Sequence, residues 1–447
     1  MLHEFKFLII IYICITFVGG TGKTYLYKAL ISQLRSERKN VLVVASSGIA
    51  ASLLPGGTTA HSTLKIPLTI SPESTCYIAV NSALADIIRN THLIIWDEAP
   101  MMSKYCFEAV DRTFKDICRN QLQFGGKPFL MGGDFRQIPP VVLHASPTDI
   151  IRVSLKNSYL WGRTEILRLE RNMRLQEENE ENEYAEFLLR VGDNTEGEAV
   201  SALESNIRVP RNMIPVNPTL QGLIDEIFPD VENQDNPDYY VNRAILTTTN
   251  AEAEVVNTSV GERLPGEYRT YLSADTVEDM TFQDAQIYTN DFLNSISPNG
   301  IPPHSISLKV GMPIMLIRTL SSTLKLYNGT RLIVTGLTDN LIHARILVGK
   351  SKGLHVCIPR MDLSPANTTL PFKLIRRQFP VKACFAMTIN KSQGQSLGHV
   401  GIYLMNKQVF GHGQLYVALS RTTSVRNIKI LSPENIMRNI VFSQLLR

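Results

Sequence analysis

A chain of 447 residues, 44% hydrophobic and 19% charged, can build two or three domains with large cores, which excludes a disordered or low-complexity protein. Six cysteines (14, 76, 106, 118, 357 and 384) are scattered without a Cys-x-x-Cys pair, which excludes a disulfide framework or a zinc site and fits reduced intracellular thiols. The net charge of +4 conceals an asymmetry: residues 301–447 hold 19 Lys and Arg against three acids, while the first 300 carry a net −12, so a polyanion partner is expected for the C-terminal third.

Phe7–Val18, FLIIIYICITFV, is apolar but shorter than the ~20 residues of a membrane span. With Lys6 before it, it could pass for a signal peptide; a buried strand is the better reading, because a polar turn follows it directly. Tyr12–Val18, Val41–Ala45, Leu93–Trp96 and Phe129–Met131 read as buried strands, and Leu26, Ala29, Leu30 and Leu34 as a helix between the first two. Continuous apolar strands alternating with helices predict a parallel sheet covered on both faces, with ligands at the carboxyl ends of its strands. Glu177–Glu186, EENEENEYAE, reads as a solvated helix start or loop, and residues 205–240 as Pro- and Asn-rich irregular chain. A strand returns at Ala244–Thr247. Ile314–Ile317, Leu332–Val334, Ile342–Ile346 and Val356–Ile358 are short alternating runs broken by Asn-Gly, Gly-Lys and Pro, which predicts a small β module. Ala383–Thr388, His399–Leu404 and Asn427–Leu431 return to the buried-strand pattern.

Three polar segments follow those apolar strands. Gly19-Gly20-Thr21-Gly22-Lys23-Thr24 is most of a phosphate-binding loop: small residues let backbone N–H groups close on phosphate, Lys23 reaches the β- and γ-phosphates, and Thr24 offers its hydroxyl to Mg²⁺. The pattern places its first Gly at position 17, which is Phe. In Trp96-Asp97-Glu98-Ala99, Asp97 is placed to hold Mg²⁺ and Glu98 to act as general base on water. In Gly132-Gly133-Asp134-Phe135-Arg136-Gln137, Gln137 can contact the γ-phosphate or the attacking water. Two acids at a strand end, or a polar turn after one, also occur as plain surface features; it is their order behind the loop that points to nucleotide chemistry.

With ERNMR (170–174), FAMTINKSQGQS (385–396) and HGQLYVALSR (412–421), these segments stand in the order found in superfamily-one helicases of the Pif (petite integration frequency) family, which the chain resembles from residue 19 to about 433. Phe107–Gly126 with Lys127–Asp134 resembles that family's signature segment, and RRQFPVKACFAMTINKSQGQSL is most similar to helicases of Helitron-type transposons. The resemblance implies an α/β fold of two RecA-like P-loop domains with parallel sheets and an SH3-like β insertion in the second. The expected division is residues 1–165 as domain 1A with a wedge at about 66–90, 166–324 with 386–447 as domain 2A, and 325–385 as insertion 2B.

It also implies Mg²⁺-dependent ATP hydrolysis that drives 5′-to-3′ movement along single-stranded DNA and unwinding at duplex junctions, by a monomer without a membrane partner. The nucleus is the expected location, with the mitochondrion as alternative, and the expected work is repair, recombination, telomere maintenance or transposon mobility. Arg174 and Arg421 match the family's cleft arginines, which stabilise charge on the γ-phosphoryl group. Gln393 and Gly394 lie in the segment linking ATP to DNA, and Lys391 beside them is a DNA contact. Ala60-His61-Ser62 and Lys65-Ile66-Pro67 match a segment that touches single-stranded DNA, through His61 and Lys65; Leu64 stands where the family has Phe, and loss of base stacking there would cost about 1–3 kcal/mol. Phe17 and Val18 replace the family's Gly-Pro, and residues 1–18 are expected to be foreign to the family, from a truncated or misjoined gene. A bulky residue at a left-handed loop entry predicts weakened nucleotide binding. The alternatives are a weakened remnant that still binds single-stranded DNA, and a P-loop phosphotransferase.

Overall fold

A computed structural model describes residues 12–17, 22–142, 145–169, 179–233, 236–278, 288–298, 300–321, 324–349, 351–365 and 370–446. In the first half, β1 (Tyr12–Phe17), β2 (Asn40–Ala45), β3 (Thr58–Thr59), β4 (Thr91–Asp97), β5 (Phe129–Gly133) and β6 (Glu165–Leu169) form one parallel sheet in the order β3-β2-β4-β5-β1-β6. Helix α1 (Lys23–Ser36) follows β1, α2 (Gly48–Leu53) follows β2, α3 (Ala60–Leu64) follows β3, α4 (Ala83–Arg89) leads into β4, and α5 (Lys104–Cys118) joins β4 to β5.

Why α5 forms and where it docks are both legible. Ser103 caps its start by accepting from the Tyr105 N–H, and Cys106, Phe107, Val110, Phe114 and Ile117 make a buried stripe at helical spacing. That stripe lies on the sheet, with the Phe107 ring 4.3 Å from Trp96 and the Phe114 ring 6.1 Å from Phe129. Burying each Phe contributes about 1.5–3 kcal/mol.

β1 is an interior strand, paired with β5 on one side and β6 on the other. The N-terminal apolar run therefore enters the sheet from Tyr12, and no helix among the described residues is long and apolar enough to cross a membrane. Phe17 closes β1 in register with Leu169. Its backbone is extended, so the left-handed strain expected for a bulky residue at position 17 does not arise there.

In the second half, Arg243–Thr247, Ala386–Thr388, His399–Tyr403 and Ile428–Leu431 form a second parallel sheet. The acidic stretch at 177–186 runs into the helix Asn179–Gly192, whose Tyr184, Phe187 and Val191 are buried against that half's core. Between the helix Asn250–Arg263 and Ala386 lie antiparallel sheets reaching from Arg269 to Ala383. They start well before residue 325, because Arg269–Leu272 pairs with Ser305–Leu308 and Ala274–Val277 with Leu374–Gln378. Arg376 pins this part: its fully buried guanidinium lies 2.6 Å from Asp275 and donates to the Leu293, Ile296 and Pro302 carbonyls. Residues 66–82 are mostly turns tied to α5 through Arg112 to the Ser74 carbonyl, and they leave Leu68 and Tyr77 at 92% and 78% exposure.

Candidate functional site

The carboxyl edge of the first sheet gathers the predicted nucleotide residues. Gly22 adopts φ 86° at the start of α1 and gives it no side-chain cap, and the N-terminus of a helix is a place that favours an anion. Lys23 and Thr24 begin the helix; Gly19, Gly20 and Thr21 lie outside the described residues. Lys23 Nζ sits 2.6 Å from Asp97 Oδ1 and 2.7 Å from Glu98 Oε1. Burial pulls the Lys23 ammonium down, but the two carboxylates more than reverse this and its pKa is raised. Burial, with Glu98 adjacent, pushes the Asp97 carboxyl up against the opposing pull of Lys23. Glu98 holds a left-handed backbone, φ 53°, at the strand end, a conformation that costs a non-glycine residue of order 1–3 kcal/mol and clusters at functional sites.

Two glycines let the elements close. A Cβ on Gly132 would fall 1.6 Å from the Tyr27 hydroxyl, and one on Gly133 would fall 1.9 Å from Pro100 Cδ. The β5 end can therefore lie against α1 and the loop after Glu98 only without side chains at both positions. Beyond them, Asp134, Phe135 and Gln137 are buried against the second half. Gln137 Oε1 accepts from Gln393 Nε2 at 3.1 Å, Asp134 Oδ2 accepts from the Tyr416 hydroxyl at 2.7 Å, and His412 Nε2 bonds the Phe135 carbonyl at 2.8 Å. Gly413, at φ 72°, abuts the same loop. Gly394, at φ 80°, comes near Ala50 and Ser47 of the α2 N-terminus.

The other predicted residues are placed as follows. Arg421 is 7% exposed, and its guanidinium donates to the carbonyls of Val417, Ser392 and Gln395 and to Ser420 Oγ. Arg174 lies outside the described residues. His61 is half-buried on α3 and burial pulls its pKa down; Lys65, exposed at φ 51°, ends that helix. Leu64 is fully buried in the first-half core, so this position packs instead of stacking on a base, contrary to the expectation above. Lys391 lies half-buried beside Lys382 and Thr388; burial first, then the charges of Lys382 and Arg318, lower its pKa. The pairings through Asp134, His412 and Tyr416 were missed, although all three stand inside quoted segments. Their only sequence signal was polar residues in strongly apolar surroundings.

Among the described residues no group of three His, Cys, Asp or Glu side chains gathers to hold a metal. One carboxylate, Asp97 at the end of β4, and one hydroxyl, Thr24 in the first turn of α1, are ligand types that suit Mg²⁺, which keeps waters and phosphate oxygens as its other ligands.

Two parallel sheets meeting beside a P-loop lysine and its two carboxylates define a RecA-like P-loop protein. Residues 11–201 match the family described as PIF1-like helicase, and 291–337 that described as DNA helicase Pif1, 2B domain. The first match takes in residues 11–18, which were expected to be foreign. The ATP-dependent DNA helicase PIF1 of Homo sapiens is 27% identical over 418 residues, 92% of this chain and 57% of that protein. The ATP-dependent DNA helicase Pif1 of Campylobacter jejuni is 24% identical over 444 residues, 96% of this chain and 90% of that one. The fold superposes on Bacteroides Pif1 in complex with ADP-AlF3 and single-stranded DNA with a TM-score of 0.66 at 24% identity, covering 98% of this chain and 90% of that one. Over these segments the chain is similar to Pif1-type helicases, and it spans about 57% of the length of its human relative.

Proposed function

We propose that the chain is a Mg²⁺- and ATP-dependent DNA helicase that moves 5′ to 3′ on single-stranded DNA. The observation that carries this reading is the Lys23–Asp97–Glu98 cluster, at 2.6 and 2.7 Å, on a sheet edge whose next loop is bonded to the second half through Gln137 and Gln393. A nucleotide there would touch elements bonded to both halves, which is what a motor needs to turn hydrolysis into relative motion.

When ATP binds, Lys23 exchanges its carboxylates for β- and γ-phosphate oxygens, and the charge left on Asp97 and Glu98 becomes available. Bound Mg²⁺, held by Asp97 and Thr24, would supply charge neutralisation on those oxygens. Glu98 takes the proton of the attacking water as its oxygen bonds the γ-phosphorus and the bond to the β-phosphate oxygen breaks. Gln137 orients that water. Arg421 reaches the developing charge by giving up its bonds to the Val417, Ser392 and Gln395 carbonyls, with Arg174 as its companion. The division into 1A, 2A and an SH3-like 2B, and a nuclear location, belong to the same proposal. On the DNA side, Lys391 and Lys382 stand in one cleft with lowered pKa values; Glu254 lines the same cleft, but neither lysine forms an ion pair among the described residues, an arrangement a phosphodiester chain would relieve.

Steady-state ATP hydrolysis with and without single-stranded DNA, followed by strand separation of duplexes with a 5′ or a 3′ tail, tests this. DNA-stimulated hydrolysis with unwinding from the 5′ tail is expected. A rate indifferent to DNA would favour a phosphotransferase, and salt-sensitive DNA binding without hydrolysis a remnant.

A further inference from the structure

We propose that His412 is a positioning residue: its imidazole fixes the 132–137 loop against the second half and so sets Gln137 for hydrolysis. The inference rests on the reading that Gln137 orients the attacking water, and adds a residue to which no role has been given.

His412 is 1% exposed and both ring nitrogens are bonded. Nδ1 lies 2.7 Å from the Phe442 backbone nitrogen, and Nε2 lies 2.8 Å from the Phe135 carbonyl oxygen. A backbone N–H can only donate and a carbonyl can only accept. The ring is therefore neutral, with its proton on Nε2. A second proton would set N–H against N–H, and burial agrees by pulling the imidazole down to about 4.

The bond to Phe135 lies between the two side-chain contacts of the loop, Asp134 with Tyr416 and Gln137 with Gln393. It is the contact that grips the loop's own backbone. Its other end is held equally firmly. The His412 ring stacks on Phe442 at 5.3 Å, and the Gly413 N–H donates to the Ile440 carbonyl at 3.0 Å. Residues 440–445 in turn pack on Ile150 and Ile151 of the first half. The ring thus joins the C-terminal segment to the loop that bears Gln137. A shift of the second half is passed from the Phe135 carbonyl to Gln137 along two consecutive peptides, with Arg136 the one residue between them.

Two substitutions separate the two bonds. In His412→Gln the amide nitrogen falls near Nε2 and can still donate to Phe135. In His412→Asn the amide oxygen falls near Nδ1 and can still accept from Phe442, but the donor to Phe135 is lost. DNA-stimulated hydrolysis is measured for kcat and KM of ATP, with DNA affinity alongside. The asparagine variant is expected to lose about tenfold in kcat, the upper range for one hydrogen bond, with KM and DNA affinity within about twofold. The glutamine variant is expected to stay within about threefold of the parent. Equal losses in both variants, no loss in either, or a loss carried by KM would overturn the proposal. If neither variant folds, nitrogen-15 NMR of the parent's histidines at pH 6 decides: a neutral ring protonated on Nε2 and bonded at both nitrogens supports it, and an imidazolium or an Nδ1–H ring overturns it. An inactive parent would instead count against the helicase reading.

Discussion

Glu98→Gln and Lys23→Ala should both abolish hydrolysis yet move stability very differently. The cluster holds one cation and two anions, nearly all buried. Glutamine at 98 removes one negative charge and leaves Lys23 paired with Asp97 at 2.6 Å. It exchanges an ion-paired hydrogen bond for one from the ammonium to a neutral amide oxygen, a loss of about 1 kcal/mol, and removes the Asp97–Glu98 repulsion, a gain of similar size. Stability should change by less than about 1 kcal/mol, while loss of the proposed general base should cost roughly 10²–10⁴ in kcat. Alanine at 23 leaves two adjacent buried carboxylates without their cation, which costs about 3–5 kcal/mol. Both tryptophans, Trp96 and Trp161, lie in the first half, so urea unfolding followed by tryptophan fluorescence reports that half alone. Lys23→Ala should lower the midpoint by on the order of 1–2 M, and Glu98→Gln by less than about 0.5 M. The Asp97 carboxyl is already raised in the folded state, and losing Lys23 raises it further. The folded chain then holds a proton more tightly than the unfolded chain, so stability rises as pH falls, and the Lys23→Ala deficit should shrink between pH 8 and pH 5. Equal midpoint losses in the two variants, or a deficit that grows in acid, would refute this account of the cluster.

Gly413→Ala should part the halves. Its Cβ would lie 2.3 Å from the Arg136 carbonyl oxygen at a φ of 72°, costing about 1–2 kcal/mol in backbone alone; at least a tenfold drop in DNA-stimulated rate is expected, with the tryptophan transition unchanged. Lys391→Ala should weaken DNA binding evenly across sequences, and the plot of log affinity against log salt should become shallower by about 0.7. Arg376→Met strands the buried Asp275 carboxylate and three carbonyls, at a cost of about 3–5 kcal/mol; limited proteolysis should then cut within residues 269–383 faster than in the parent.

The interior strands were legible because their signal is local. A strand buried on both faces reads as an unbroken apolar run, and Val41–Ala45, Leu93–Trp96, Phe129–Met131 and His399–Leu404 all lie on or within a residue of observed strands. The acids and glycines behind them mark the sheet edge for a reason equally local, since a polar turn must follow a buried strand. Weakly patterned strands escaped. Thr58–Thr59, Glu165–Leu169 and Arg269–Leu272 are short or largely polar, and they become strands by pairing with a formed neighbour.

The sequence by itself determined the likeness to Pif1-type helicases, the parallel-sheet class, and which residues, Lys23, Asp97, Glu98 and Gln137, stand at the ends of its strands, because residue type and order carry these. Tertiary structure alone decided that Leu64 packs in the core and that Phe17 stays extended. It also decided that Arg421 is held by backbone carbonyls, and that Asp134, Phe135 and Gln137 meet Tyr416, His412 and Gln393 across 256 to 282 residues of chain. A hydrogen bond requires its partners within about 3 Å, and at such separations no local preference sets that distance. Only the packing of one half on the other does.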